Sequence, residues 1–250
     1  RRPDLIELIR YATDRGIRCT LTPAGTPLAS LHRLAAARDA GVRRIAVSLD
    51  GSTPERHDGF RRVRGSFVWT QAIIRTAWKL DLPFQIHTTL SRQTVDDLPA
   101  IANLVDELGA VVWAVFCLVP TGRGQVADEL GAAEYEAVFQ WLAERRATAR
   151  WELKLTEGYH YRRVLLQHEG ASARGLGFTG GNGIGRAPKA VNAGNGFCFV
   201  SHVGDVCPSG FLPLPVGNVR KTSVVDLYRH HPIFQTLRDP DRLKGKCGRC

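Results

Sequence analysis

The sequence predicts an α/β protein with a parallel sheet, followed by a small cysteine-bearing domain. Three observations predict it. Helix-patterned and strand-patterned segments alternate through residues 4–156, the candidate strands lie too far apart for hairpins, and four of the six cysteines fall within residues 198–250.

The elements follow in order. Residues 4–15 place Leu5, Ile6, Leu8, Ile9 and Ala12 at helical spacing, and Gly16 follows as a stop. Residues 17–21 read as a short strand. Residues 28–40 read as a helix with Leu31, Leu34 and Ala35 on one face, ended by Gly41. Residues 45–49 are the next strand, 66–80 a helix and 84–90 a strand. Residues 94–108 begin with Thr94-x-x-Asp97, the pattern of a capping box, and stop at Gly109. Residues 111–118 are a nearly unbroken apolar strand; a helix over 132–146 and an alternating strand over 151–156 continue the theme.

Strands beginning at 17, 45, 84 and 111 are 28, 39 and 27 residues apart, and each interval holds a helix. A crossover of that length joins parallel neighbours. The apolar run at 111–118 suits a strand covered on both faces. A barrel and a doubly wound sheet both fit this spacing.

From Gly170 to Gly196 nine glycines fall in 27 residues, which reads as a linker. It contains Gly175-x-Gly177-x-x-Gly180, a formal match to the dinucleotide fingerprint. Neither a strand before it nor a helix after it is patterned in the sequence, so no helix N-terminus is offered to a pyrophosphate. The expected organisation is therefore a barrel-like domain over 1–156, a helix and glycine-rich linker over 157–196, and a cysteine domain over 197–250.

Composition limits the function classes. Hydrophobic residues at 44% and charged residues at 23% describe an ordinary globular chain. No apolar run reaches the roughly 18 residues that would span a bilayer, and no signal-peptide pattern is present, so a cytoplasmic protein with no membrane partner is expected. The net charge of +10 is spread over Arg43-Arg44, Arg61-Arg62, Arg145-Arg146 and Arg162-Arg163 rather than gathered in a tract. A solvated basic surface explains it better than a nucleic-acid partner. The chain contains no methionine, opens on Arg1-Arg2-Pro3-Asp4 and closes on Cys250; a longer parent protein is expected.

Functional groups in parallel α/β folds gather at the C-terminal ends of strands. Those ends here carry Thr20 and Thr22, then Ser48 and Asp50, then His87, Thr88 and Thr89, then Arg123. Such hydroxyls and carboxylates can hold a ligand's ribose and amino-acid groups, or can merely cap strands and helices. Cys19 and Cys117 lie in apolar strands and read as packing residues. Cys247-Gly248-Arg249-Cys250 sets two thiolates three residues apart, a spacing that can grip one metal centre; with Cys198 and Cys207 it makes four sulfur ligands. Iron–sulfur and structural zinc both suit four thiolates. Tyr159, His160, Tyr161 and Asp205 can all handle protons, but none stands out in a catalytic pattern, and His230-His231 before Pro232 reads as a helix end.

At Ser48-Leu49-Asp50-Gly51 followed by His57-Asp58-x-x-Arg61, the sequence resembles the radical S-adenosylmethionine superfamily. In that family such a block ends the fourth strand of a partial (β/α)6 TIM-like barrel. Leu21-Thr22-Pro23-Ala24-Gly25-Thr26 resembles the turn after the third strand. Ile86-His87-Thr88-Thr89-Leu90 resembles the fifth strand, and Leu118-Val119-Pro120-Thr121-Gly122-Arg123-Gly124 the end of the sixth. Cys198, Gly204-Asp205-Val206-Cys207-Pro208, Gly217-Asn218-Val219 and Cys247-x-x-Cys250 resemble a SPASM- or twitch-like auxiliary cluster domain.

The resemblance implies that Ser48 and Arg61 contact S-adenosylmethionine, with Asp50 and Thr88 as further candidates. It implies that Cys198, Cys207, Cys247 and Cys250 ligate an auxiliary [4Fe–4S] cluster. The activity implied is hydrogen abstraction by a 5′-deoxyadenosyl radical, in a maturase acting on a peptide or on a haem or other tetrapyrrole precursor. An external electron donor such as ferredoxin or flavodoxin is implied with it. The Cys-x-x-x-Cys-x-x-Cys motif of the catalytic cluster and the "GGEP" turn do not occur in the 250 residues; the expectation is that both precede Arg1. The rival readings are a non-catalytic module in which the four cysteines hold zinc, and a barrel enzyme binding a phosphorylated metabolite. The second of these would need a phosphate loop after the late strands.

Overall fold

The computed structural model describes residues 3–169, 192–242 and 244–245. The chain divides into two compact units, 1–170 and 171–250. The formal dinucleotide fingerprint at Gly175, Gly177 and Gly180 lies outside the described residues, as do Cys247 and Cys250.

The first unit runs α1 (Leu5–Asp14), β1 (Cys19–Leu21), α2 (Leu31–Asp39), β2 (Val42–Ser48), α3 (Pro54–Arg61), α4 (Ser66–Lys79) and β3 (Phe84–Leu90). It continues with α5 (Leu98–Glu107), β4 (Val112–Cys117), α6 (Ala132–Arg146), β5 (Glu152–Thr156) and α7 (His160–Glu169). All five strands are parallel, and their spatial order is β1-β2-β3-β4-β5. This order separates the two sheet types that spacing alone left open. A doubly wound sheet reverses direction at a switch point. Here every crossover steps the same way, so crossovers of one hand place all the helices on one face and leave the other as an inner face.

The two faces differ in chemistry because side chains alternate along a strand. Towards the helices point Ile45, Val47 and Leu49 of β2 and its end, Ile86 and Leu90 of β3, and Trp113 and Val115 of β4, all 1% exposed or less. Burying one such side chain contributes about 2 kcal/mol. From the helix side, α4 buries Ile73, Ile74 and Ala77, and α5 buries Leu98, Ile101, Ala102 and Val105. Trp78 of α4 meets Phe84 of β3 edge-on at 6.5 Å and donates to the Leu108 carbonyl, while Trp113 meets Trp141 of α6 at 6.4 Å. On the inner face Ser48 stands in register with His87, His87 with Ala114, and Ala114 with Lys154. Three of the four residues in that row are polar, where the helix face is largely apolar.

Several expectations are corrected. The helix over 54–61 was not foreseen as an element. Pro54 stands at its first turn and Thr53 Oγ1 accepts the Arg56 amide, an N-terminal signal easily overlooked inside a loop-like stretch. The Thr94-x-x-Asp97 capping box does not form: residues 95–97 are a 3₁₀ turn, and the Asp97 carboxylate instead accepts from the Ser52 amide (2.6 Å) and hydroxyl (2.8 Å). The helix expected after residue 156 is α7, whose Tyr161 ring meets the Phe139 ring of α6 at 5.9 Å.

The second unit has β6 (Asn192–Ala193), β7 (Gly196–Phe197), β8 (Phe199–Val200), β9 (Asp205–Cys207) and β10 (Gly217–Asn218), then α8 (Val224–His230) and α9 (Pro232–Arg238). Strands β8, β9 and β10 form an antiparallel sheet with β9 central. Its small core holds Val206 and Phe234, both fully buried, with Tyr228 5.1 Å from the Phe234 ring. His230 ends α8, and His231 Nδ1 accepts the Ile233 amide at the start of α9, as the helix-end reading expects.

Candidate active site

The site is assembled where β2 and β3 end. Gly51 lets α3 double back onto that end: a Cβ there would stand 2.4 Å from the His57 nitrogen and 2.7 Å from the Arg56 carbonyl carbon, both backbone atoms. Only glycine permits this approach. His57, 1% exposed, accepts the Asp50 amide proton through Nδ1 at 3.0 Å. Burial and the Arg61 charge lower its pKa to about 4, so the imidazole is neutral, with its proton on Nε2. Asp58 caps the next helix, accepting from the Gly65 amide, the Phe67 amide and the Ser66 hydroxyl; those bonds outweigh its desolvation and hold its carboxyl below the usual range.

Asp50 is 2% exposed. One carboxylate oxygen accepts the Thr89 amide at 2.7 Å, and the other takes Nη1 of Arg61 at 3.2 Å. Burial raises its pKa, while the Thr89 amide and the Arg61 charge oppose that rise. Arg61 keeps 36% of its side chain exposed, and Arg123, on the loop after β4, donates to the Arg61 carbonyl at 3.2 Å. Thr88 is fully buried on the helix side: its hydroxyl donates to the Leu49 carbonyl at 2.8 Å and accepts from the Trp113 indole at 2.9 Å. Ser48 is half-buried on the inner face, and its hydroxyl has no hydrogen bond among the described residues. At the end of β5 the Thr156 Oγ1 is buried and likewise unbonded among them.

The four cofactor candidates thus gather within one strand pair and its following helix, in two different situations. Ser48 and Arg61 present polar atoms. Asp50 and Thr88 have theirs engaged by protein. Thr156 escaped the sequence reading, because a threonine near a strand end is common; only the orphaned oxygen distinguishes it.

In the second unit Cys207 is buried and Cys198 half-buried, and both thiols are free. Cys198 immediately precedes Phe199, the residue directly opposite Cys207 across the β8–β9 ladder. The turn before Cys207 is braced. Asn218 donates to the Asp205 carboxylate (2.9 Å) and to the Val203 carbonyl (3.1 Å), and Gly204, at φ +94°, leaves no room for a Cβ beside Asn218 Oδ1. The Gly204-Asp205 and Gly217-Asn218 motifs, on either side of Cys207 in sequence, therefore meet across β9 and β10. Burial raises both thiol pKa values, and at Cys207 the Asp205 charge adds to it. By contrast, Cys117 of the first unit is pressed against Gly158 and pushed up to about 12 by burial and Glu157, as an inert packing thiol should be.

These features define a class: a parallel α/β-barrel protein with a polar ligand site at the C-terminal ends of its strands, joined to a second unit that presents cysteines. Comparison with known proteins narrows it. The chain is 42% identical over 250 residues to the AdoMet-dependent heme synthase of Methanosarcina barkeri, covering all of this chain and 71% of that protein. It is 29% identical over 262 residues to the mycofactocin maturase MftC of Mycolicibacterium smegmatis, covering 60% of it. The crystal structure of Streptococcus suis SuiB bound to the precursor peptide SuiA matches 98% of this chain and 54% of that one, with a TM-score of 0.71 at 13% identity, a likeness of fold. No protein-family model matches. The chain belongs to the radical S-adenosylmethionine family, and it spans between about half and three quarters of these relatives' lengths.

S-adenosylmethionine and [4Fe–4S] iron are the cofactors of that family, and the residues present fit them. The cofactor's carboxylate suits the exposed part of the Arg61 guanidinium, and its ribose suits the unbonded hydroxyls of Ser48 and Thr156. Thiolates suit iron, and Cys198 and Cys207 are both free thiols. No group of three or more metal-ligating side chains occurs among the described residues.

Proposed function

We propose that the intact protein is a radical S-adenosylmethionine enzyme that modifies a haem or other tetrapyrrole precursor in the cytoplasm, taking electrons from a donor such as ferredoxin or flavodoxin. The observation that carries this reading is the 42% identity to a haem synthase, sustained over every residue of the chain. In this reading Ser48 and Arg61 touch the cofactor. Asp50 and Thr88 act through their neighbours: Asp50 aims Arg61, and Thr88 ties β3 to the end of β2 and to Trp113 of β4. When bound, S-adenosylmethionine supplies a 5′-deoxyadenosyl radical that removes a substrate hydrogen. The barrel orients the reacting groups and keeps water away. Cys198, Cys207, Cys247 and Cys250 hold an auxiliary cluster.

No helix among the described residues is long and apolar enough to cross a membrane. A peptide is the second candidate substrate, favoured by the 29% identity to MftC, which also extends over the whole chain.

Anaerobic reconstitution of the intact protein tests the reading. The expected result is about eight iron atoms per chain, as two cubanes, release of 5′-deoxyadenosine under reduction, and conversion of an iron porphyrin bearing propionate side chains. Conversion of a precursor peptide instead would select the second substrate class. A colourless protein holding one zinc would select the non-catalytic module.

A further inference from the structure

Arginines from two distant segments meet at the end of β3. Arg123, on the loop after β4, donates from Nη1 to the Arg61 carbonyl at 3.2 Å. In the sheet β3 lies between β2 and β4, so this bond bridges the segments that follow its two neighbours. The bonded carbonyl belongs to the peptide that joins Arg61 to Arg62. Three arginines thus adjoin one peptide, at the strand ends where parallel α/β proteins hold their ligands.

The acids of this block leave those charges unmatched. Asp50 takes the Arg61 guanidinium, and Asp58 is filled by the Gly65 and Phe67 amides and the Ser66 hydroxyl. Glu55 stands at the opposite end of α3, about 9 Å along its axis from Arg61. Arg62 and Arg123 are both exposed, and neither forms an ion pair among the described residues. The bond to Arg61 uses a single N–H of the Arg123 guanidinium; its other donors have no partner among the described residues.

Like charges brought together repel, and the backbone is shaped to hold them there. Arg62 adopts a left-handed conformation, φ 55°, which glycine ordinarily supplies after a helix. Such an outlier is most often kept where a side chain is used. Across from it, Gly122 at φ +62° and a bond from the Gly124 amide to the Thr121 carbonyl (3.1 Å) set Arg123 within a tight turn.

We propose that Arg123 receives a carboxylate of the substrate at the mouth of the barrel, with the charge of Arg62 adding to the attraction. This rests on the tetrapyrrole reading above and assigns the residue that recognises the macrocycle's acidic side chain. Two anions are thereby divided between two cations. The cofactor's carboxylate goes to Arg61, which Asp50 aims, and the substrate's goes to Arg123, whose planar fork can grip it by parallel bonds.

The test is an absorbance titration of the intact reconstituted protein at low ionic strength, where exposed charges are least screened. Two probes are used: an iron porphyrin with free propionates, and the same macrocycle with its carboxylates methyl-esterified. The unaltered protein is expected to bind the free acid about fivefold or more tightly than the ester. Arg123→Gln keeps an N–H for the Arg61 carbonyl and removes the charge, so it should abolish that preference while leaving ester binding unchanged. Arg123→Lys keeps the charge without the fork and should retain part of it. Calorimetric titration with S-adenosylmethionine should give the same affinity in all three proteins. Circular dichroism verifies folding. If Arg123→Gln does not fold, Arg123→Lys decides alone: free-acid binding about twofold or more weaker than in the unaltered protein upholds the pairing, and equal binding overturns it. An unaltered protein without preference, or an Arg123→Gln protein that keeps the full preference, overturns the role of Arg123 and leaves the tetrapyrrole reading standing. Loss of S-adenosylmethionine affinity in Arg123→Gln would give Arg123 to the cofactor and overturn it equally. An unaltered protein that binds neither porphyrin overturns both.

Discussion

Arg61 donates to one oxygen of the Asp50 carboxylate at 3.2 Å while the Thr89 amide donates to the other at 2.7 Å, so a single buried acid aims an exposed cation and fastens two strand ends. Its two oxygens are engaged by protein, which makes Asp50 a positioning residue.

Asp50→Asn should therefore weaken S-adenosylmethionine binding without removing a ligand. The amide keeps its carbonyl for Thr89 and offers Arg61 no charge, and the expected loss is about tenfold in affinity. Arg61→Lys, which leaves Asp50 intact, should lose a similar factor. Calorimetric titration of the two variants checks this, and additive losses in the double variant would contradict the coupling.

Ser48 and Thr88 should separate cleanly. Ser48→Ala removes a hydroxyl proposed to touch the cofactor, so its affinity should fall while melting is unchanged. Thr88→Val orphans the buried Trp113 indole and should cost about 1–3 kcal/mol of stability, with cofactor affinity nearly preserved. Paired denaturation and binding curves distinguish them.

Gly51→Ala should be among the most damaging small substitutions in the first unit. The added methyl meets backbone 2.4 Å away, and backbone cannot rotate aside. A loss of about 2 kcal/mol or more is expected in urea.

His57 makes stability depend on pH. Its folded pKa, about 4, lies below the ordinary 6.5, so the folded state binds fewer protons between those values. The stabilisation is complete above pH 6.5 and is lost as pH falls towards 4, by at most about 3 kcal/mol. Asparagine places its carbonyl oxygen where Nδ1 sits, so His57→Asn should keep the acceptor for the Asp50 amide and flatten the curve. An unchanged slope in that variant would assign the titration elsewhere.

Cys198→Ser and Cys207→Ser should each lower the iron content of the intact protein by about four atoms, whereas Cys117→Ser should leave it unchanged. Iron assay after anaerobic reconstitution checks all three.

The sequence by itself determined the alternation of helices and strands, the parallel sense of the sheet and the block from Ser48 to Arg61 that holds the proposed cofactor contacts. These are local properties: an apolar period, a crossover length, a glycine at a turn. It also singled out Cys198, Cys207, Cys247 and Cys250 as four candidate sulfur ligands. Only the tertiary structure decided barrel winding over a doubly wound sheet, because strand order is a matter of which distant segments meet. The same holds for the partners of the acids. Asp97 sits where a helix cap would use it, yet it accepts from Ser52, 45 residues earlier, and Asp50 is completed by Thr89, 39 residues later. Residue type and spacing nominate a carboxylate. The neighbours brought to it by folding settle whether it touches a ligand or holds the residue that does, since a buried acid must bond to whatever donors surround it.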